Sequence, residues 1–286
     1  QAEDGIRDLV RSRGLGDVYK RQALAAYPEY SCSGGPFEVA TNFGIFADIY
    51  CAGKARTYTF LEGILAEVAG LFPAPYVHIG GDEAPKKRWR KCPDCQEKIR
   101  ALGLNGEHAL QVHLSNYFVK YLAQFGKRVI FWSDSFDPGI DRSAIVQYWV
   151  GNRKLILDSV RRGREMILSP YLHAYLDHTY ATLPLKKAYE FDRVLQALPN
   201  SAGRILGFEG LMWGEWLPDR RRLEFQTFPR LAALAEKGWR QKPCSFPDFS
   251  TRLEALLPRW KALDIGYANL SQAQPPWYRR LLKYTD

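Results

Sequence analysis

The segment Pro75-Tyr76-Val77-His78-Ile79-Gly80-Gly81-Asp82-Glu83 decides the fold and locates the candidate chemistry. It is a short run of β-forming residues with proline on one side and two glycines and two acids on the other, which predicts a strand that ends at the glycines. On a strand of period two, His78 and Asp82 share a face. The glycines leave room for a ligand or another backbone to approach. Two neighbouring acids at such a strand end can divide the roles of proton donor and charge stabiliser.

Two adjacent acids also occur by chance in a chain with 31 Asp and Glu residues, and Glu3-Asp4 is a second pair. The pair alone therefore does not identify an enzyme. The surrounding pattern gives it weight, because strands alternate with helices on its C-terminal side, which indicates parallel βα units with right-handed crossovers. We predict further strands over residues 127–132, 144–149, 165–169 and 205–213, helices over 57–71, 107–125, 152–162, 227–238 and 249–263, and a long loop from Pro170 to about Asn200.

Several short motifs follow one another in a fixed order along residues 23–270, and together they resemble one family. The segment His78–Glu83 resembles the His-x-Gly-Gly-Asp-Glu signature of glycoside hydrolase family 20, the β-N-acetylhexosaminidases. So many matches in order are more specific than the hexapeptide alone. The other matching segments are Ala25–Glu29, Arg88–Cys92, Phe131–Asp134, Tyr148-Trp149, Tyr175–Asp177, Trp213–Glu215 and Phe228–Arg230.

The resemblance implies an α/β fold of the (β/α)8 TIM-barrel type, and 286 residues suit a single barrel of about 250 residues. The five predicted strands would be the fourth to eighth strands of that barrel, so we expect an incomplete barrel. Residues 1–22 match nothing in the family, and we expect them to be a non-native leader. Residues 23–270 would be the partial catalytic domain and residues 271–286 a C-terminal tail. The substrate-clamping arginine, the aspartate and the histidine that family members carry upstream have no match.

The resemblance also implies substrate-assisted catalysis, in which the 2-acetamido group of the sugar is the nucleophile. Glu83 would protonate the leaving oxygen and later deprotonate water, which calls for a raised pKa in a partly desolvated site. Asp82 would stay ionised, orient the acetamido group and offset the positive charge of the oxazolinium intermediate. His78 would support the ionised state of Asp82, although a packed histidine of the barrel interior is an equal alternative.

The same matches imply a substrate pocket. A single tryptophan in a barrel strand is more often part of the core, but three at matching positions favour a sugar-binding wall. Tyr175 would donate its hydroxyl to the acetamido oxygen. Asp134 stands where the family usually has glutamate, and its shorter side chain makes the equivalent contact doubtful. The remaining candidates are Trp132, Trp149 and Trp213 for the wall, and Asp177 and Glu215, which would accept from sugar hydroxyls or orient neighbouring groups.

The composition argues against two other classes of function, nucleic-acid binding and membrane insertion. A formal net charge of +9 suggests nucleic-acid binding, but the basic residues are scattered among acids and no nucleic-acid-binding signature accompanies them, which favours a solvated basic surface. No apolar run reaches the roughly 18 residues that a membrane helix needs. We therefore predict neither a nucleic-acid nor a membrane partner.

The five cysteines cannot all pair with one another. Cys32 and Cys51 could form a disulfide if the protein is exported. Cys92 and Cys95 have the spacing of half a zinc knuckle, but the sequence shows no second half, so we predict a local disulfide or free thiols in place of a metal. Cys244 is left over.

These observations predict exo-hydrolysis of terminal β-linked N-acetylglucosamine or N-acetylgalactosamine, with an amino-sugar glycoside as partner and neither a metal nor an organic cofactor. Two alternatives stay open: an inactive fragment of such an enzyme, and a carbohydrate-binding protein on the same scaffold. The retained Asp82-Glu83 pair argues against the second, since binding alone needs no proton donor. The family's substrates favour export, while the compartment, the oligomeric state and the choice between the two sugars stay undecided.

Overall fold

The computed structural model describes residues 23–39, 44–191, 204–214, 217–240 and 244–276. The predicted leader and Glu215 lie outside these residues. The chain forms two compact units, Gln1–Met166 (unit 1) and Ile167–Asp286 (unit 2). The strands that the structure describes follow the order β1-β2-β3-β4-β5. The strands are β1 (Tyr76–His78), β2 (Arg128–Trp132), β3 (Ile145–Tyr148), β4 (Glu165–Leu168) and β5 (Arg204–Phe208).

In unit 1 the strands β1, β2 and β3 pair in parallel, as the alternation of strands and helices predicts. Val77 lies opposite Val129, and Ile130 lies opposite Ile145. Val77 and Val129 are both buried, which is typical of parallel strands covered on both faces. Among the described residues of unit 1, the helices are α1 (Ala55–Leu71), α2 (Pro93–Ala101), α3 (Gly106–Ala123) and α4 (Arg153–Arg161).

A core forms between the first three helices of unit 1. Helix α3 buries Leu110, Leu114 and Phe118 at the four-residue spacing that places side chains on one face of a helix. Tyr58 of α1 and Ile99 of α2 belong to the same cluster. The predictions of α1 and α3 are confirmed to within two residues. Helix α2 was not predicted, although a proline at its start and Asp94 in its first turn are typical of a helix N-terminus.

Unit 2 departs from the sequence predictions more than unit 1. The predicted loop after Pro170 contains two short helices, so the prediction of one long loop is wrong. The helix predicted over 227–238 begins only at Arg230, because the ring of Pro229 has no N–H to donate to a helical turn, and the helix Arg220–Thr227 before it was not predicted. The helix predicted over 249–263 is divided in two. The helices that the structure describes in unit 2 are α5 (Tyr171–Ala174), α6 (Leu185–Tyr189), α7 (Arg220–Thr227), α8 (Arg230–Trp239), α9 (Phe246–Glu254), α10 (Leu257–Ala262) and α11 (Leu270–Ala273).

The last predicted strand is shorter than expected. It ends at Phe208, and Leu211 forms only an isolated parallel bridge with Tyr175. At the C-terminal side, α11 begins with a capping box between Asn269 and Gln272, and Ala273 is fully buried in a core cluster of unit 2. Among the helices that the structure describes, none combines the length and the apolar character needed to cross a membrane.

The cysteines correct two expectations from the sequence. All five lie in the described part of the chain, and all are free thiols, so the Cys32–Cys51 disulfide considered for an exported protein is absent from this structure. The expectation that Cys92 and Cys95 lack a second pair is wrong, because the sulfur atoms of Cys32 and Cys51 join them in one cluster. Spacing along the sequence does not show this approach, since the two pairs belong to different parts of unit 1.

Arg164 joins the segment before β3 to the end of α4. Its side chain is 2% exposed, and its guanidinium donates to the carbonyl oxygens of Ile140, Asp141 and Ala144 and to the Ser159 hydroxyl. Burial lowers the pKa of Arg164 to about 10, so the group is still protonated at neutral pH. One buried cation therefore satisfies several buried acceptors at once.

We expect Arg164→Met to lower the free energy of unfolding by about 3 kcal/mol, because buried carbonyl oxygens lose a charged donor. Denaturant titration followed by circular dichroism measures the loss. The matched control is Arg162→Met at a neighbouring exposed position, with an expected change within about 0.5 kcal/mol. Equal changes in the two variants would contradict the role assigned to Arg164.

Candidate active site

The backbone turns sharply after β1. Gly80 and Gly81 adopt φ angles of 73° and 101°, a region that favours glycine. A Cβ atom on Gly81 would lie 2.9 Å from the Ser135 hydroxyl oxygen, so this position also needs glycine for space. The Gly81 carbonyl accepts from the Gln111 side chain at 2.7 Å, and the Gly80 carbonyl accepts from the Trp132 backbone N–H at 3.0 Å. The turn is therefore anchored to β2 and to α3.

The two acids lie in this turn in different environments. Asp82 is 4% exposed, whereas Glu83 is half-buried and has a φ of 46°, which is uncommon for a residue with a side chain. The Glu83 N–H donates to Oδ2 of Asp134 at 2.7 Å. The Trp149 indole N–H donates to Oδ1 of the same carboxylate at 2.9 Å. Asp134 therefore fixes the backbone of the predicted proton donor and the ring of a predicted pocket tryptophan together.

Aromatic rings lie beside the acids in unit 1. The centroids of Trp132 and Trp149 are 6.4 Å apart, with an interplanar angle of 70°. The His78 ring lies 4.8 Å from the Trp132 ring, and its Nδ1 accepts the Gly80 N–H at 3.0 Å. An accepting Nδ1 carries no proton, so the neutral ring holds its proton on Nε2. The predicted support of Asp82 by His78 stays a prediction.

An open cleft of about 340 Å³ borders Glu83. Ile45, Lys86, His108 and Asp134 are among the side chains that line it. Burial lowers the pKa of Lys86, and the charge of Asp134 opposes that shift. Sequence reasoning did not select Lys86 or His108, because neither belongs to a strand-end motif, although Lys86 follows the acids closely in the chain.

Two serines beside Asp134 were also missed. The Ser133 hydroxyl accepts the Trp149 backbone N–H at 3.0 Å and donates to the Val150 carbonyl. The Ser135 hydroxyl donates to the Trp132 carbonyl at 2.8 Å. Their position directly after the strand that ends in Trp132 was the sequence signal that could have identified them as site residues. The two Ser133 bonds connect the segment after β2 with the segment after β3, whereas the Ser135 bond returns to the end of β2.

Unit 2 contains the other described candidates. The rings of Tyr175 and Trp213 are 6.1 Å apart. The Leu211 carbonyl accepts the Leu176 N–H, and the Leu211 N–H donates to the Ala174 carbonyl, both at 2.7 Å. These bonds hold the two aromatic residues on adjoining segments. Asp177 is 7% exposed, and its predicted role toward a sugar hydroxyl stays a prediction.

Arg230, in the Phe-Pro-Arg motif, organises the loop after Tyr175. It is fully buried, and its guanidinium donates to the carbonyl oxygens of Leu176, His178 and Leu183. Burial lowers the pKa of Arg230 to about 10. Burial, reinforced by the charge of Arg230, lowers the pKa of His178 to about 4, so this histidine is neutral at pH 7. The sequence motif gave no indication of this role.

We expect a double-mutant cycle of Asp134→Ala and Trp149→Phe to give a coupling free energy of about 1 kcal/mol, because the two side chains share a hydrogen bond. Denaturant titration of the two single variants and the double variant measures it. Asp158→Ala, at a surface position paired with Arg161, combined with Trp149→Phe is the matched control and should be additive. A coupling near zero for Asp134 would contradict the shared contact.

Comparison with known proteins shows the family of this chain. The sequence model "Glycosyl hydrolase family 20, catalytic domain" matches residues 19–242. A β-hexosaminidase of Porphyromonas gingivalis is 34% identical over 278 residues, which cover 92% of this chain and 36% of that protein. A β-hexosaminidase of Vibrio furnissii is 32% identical over 236 residues, which cover 77% of this chain and 38% of that protein. The chain thus spans less than half the length of these two relatives.

Solved structures give the same result for the fold. An exo-β-N-acetylglucosaminidase of Vibrio harveyi, in complex with N-acetylglucosamine, matches with a TM-score of 0.76 and 27% identity, over 88% of this chain and 42% of that chain. The N-acetyl-β-hexosaminidase of Streptomyces plicatus, in complex with thio-NAglucal, matches with a TM-score of 0.75 and 28% identity, over 92% of this chain and 52% of that chain. The predicted TIM-barrel type of fold is confirmed, and the chain belongs to glycosyl hydrolase family 20.

Proposed function

We propose that this protein hydrolyses terminal, non-reducing, β-linked N-acetylhexosamine residues with retention of the anomeric configuration. The observation that carries the proposal is the Asp82-Glu83 pair, in which one acid is buried and the other borders an open cleft. Such a difference in environment suits a charge stabiliser and a proton donor. The ligands of the solved Vibrio harveyi and Streptomyces plicatus relatives support an amino sugar as substrate.

In the first chemical step the carbonyl oxygen of the 2-acetamido group attacks the anomeric carbon, and the bond to the leaving oxygen breaks. The Glu83 carboxyl group transfers its proton to that oxygen. The product on the enzyme is an oxazolinium ion. Water then attacks the anomeric carbon, Glu83 takes the proton of that water, and the bond between this carbon and the amide oxygen breaks. Two inversions at the same carbon give overall retention.

We assign Asp82 the role of orienting the acetamido group. Its ionised carboxylate accepts the amide N–H, turns the carbonyl oxygen toward the anomeric carbon and offsets the positive charge of the oxazolinium ion. A buried carboxylate is effective here because the surrounding dielectric is low. Trp132 and Trp149 offer flat apolar surface to the sugar ring or the acetamido methyl group. The roles of Tyr175, Asp177, Trp213 and Glu215 stay predictions from the resemblance.

The proposal is tested with two aryl β-glycosides that differ only at C2, one with an acetamido group and one with a hydroxyl group. We expect kcat/KM to be at least about 100-fold higher for the acetamido substrate, because only this substrate supplies an intramolecular nucleophile. Equal rates would contradict the mechanism. Binding of N-acetylglucosamine without cleavage of either glycoside would favour the carbohydrate-binding alternative.

We expect Glu83→Gln to lower kcat by roughly 100-fold or more for a substrate with a poor leaving group, because proton donation to the leaving oxygen is lost. The loss should be smaller for a nitrophenyl glycoside, whose leaving group needs little protonation. Glu97→Gln, at an exposed position of α2, is the matched control and should leave both rates unchanged. Equal losses for good and poor leaving groups would contradict the acid role of Glu83.

A further inference from the structure

The side chains of four cysteines lie together in unit 1, in a cluster that does not include Asp82 or Glu83. The sulfur atoms of Cys32, Cys51, Cys92 and Cys95 all lie within 4.8 Å of one another. Cys51 is 3.6 Å from both Cys92 and Cys95, and Cys32 is 3.8 Å from Cys95. We propose that these four thiolates bind one zinc ion, which holds the segment before α1 to the segment after the Asp82-Glu83 turn.

The distances between the sulfur atoms suit a tetrahedral zinc site. Zinc binds cysteine sulfur at about 2.3 Å, and a tetrahedron of that radius has edges of about 3.8 Å. The three separations of 3.6–3.8 Å match this edge. A disulfide bond needs a separation of about 2.05 Å, which none of these three pairs approaches. The arrangement is therefore that of four ligands around one centre.

The two halves of the cluster come from turns that fit closely together. Cys92 is the N-cap residue of α2 and Cys95 lies in its first turn, where the helix dipole favours negatively charged sulfur. The other turn contains Gly53, at which a Cβ atom would lie only 2.2 Å from the Asp94 backbone. Glycine at this position is what allows the Cys51 turn to approach the Cys95 turn.

A cation lies close to the cluster. Lys98 places its ammonium group 3.7 Å from the centroid of the Tyr58 ring, and Tyr58 belongs to the core cluster that contains three of the cysteines. A tetrathiolate zinc site carries a net negative charge, which a nearby cation offsets.

The inferred role of the ion is structural, because four protein ligands fill the tetrahedral positions and leave none for a substrate. The contacts beside the cluster show which chain segments the zinc ion would hold together. The buried indole of Trp89 donates to the Tyr50 carbonyl at 2.9 Å, and Arg88 pairs with Asp48 at 2.7 Å. The segment that includes Asp48 and Tyr50 also carries Ile45, which lines the cleft beside Glu83.

The first test is metal analysis of the purified full chain by inductively coupled plasma mass spectrometry. We expect one zinc ion per chain, and loss of nearly all zinc in Cys51→Ser and Cys95→Ser. Cys244→Ser, at the cysteine outside the cluster, is the matched control and should keep one zinc ion. Iron in place of zinc, two disulfides found by intact mass, or metal-free protein with all thiols reduced would each overturn the proposal.

A second measurement uses the unaltered chain, so that it does not depend on the folding of a cysteine variant. Cobalt(II) exchanged for zinc should give the visible absorption bands of a tetrahedral tetrathiolate complex. Stripping the zinc with a strong chelator should lower the melting temperature, and added zinc should restore it. Octahedral cobalt spectra, or a melting temperature that chelation does not change, would contradict the inferred site.

Discussion

The Asp134 carboxylate is the contact on which the geometry around Glu83 depends. A non-glycine residue in the left-handed region costs about 1–2 kcal/mol, so Glu83 needs a compensating interaction. A hydrogen bond to a charged acceptor contributes roughly 1.5–3 kcal/mol, which is enough to offset that cost. Since the second oxygen of the same carboxylate accepts from Trp149, the backbone of the acid and the aromatic wall are positioned by one group.

The shorter side chain at position 134 has a physical consequence. Ser133–Ser135 form a short 3₁₀ helix directly after β2, which brings the backbone of residue 134 close to the turn after β1. From there an aspartate already reaches the Glu83 N–H at 2.7 Å. Whether this shorter side chain makes the contact of the family's glutamate stays open. The observed contacts are within the protein, where a short side chain with few rotamers loses less entropy.

Local patterns in the sequence were sufficient for most elements of unit 1 and for the place of the two acids. The strand before Gly80 and the spacing of Leu110, Leu114 and Phe118 are each visible within a few residues. Contacts between distant segments were not visible. Neither the bond from Glu83 to Asp134 nor the meeting of Cys32 with Cys95 follows from spacing, because each depends on how separate loops approach one another.

The segment from Glu83 to Cys95 is fixed at both ends by interactions of different kinds. At its start, hydrogen bonds to Asp134 and Gln111 hold the turn that carries the acids. At its end, the cysteine cluster and the buried Trp89 hold it to the preceding segment. A loop fixed at only one end keeps conformational freedom that must be lost whenever a substrate binds. Fixing both ends removes that cost before binding, so a proton donor on a loop gains the positional precision of one on a regular element.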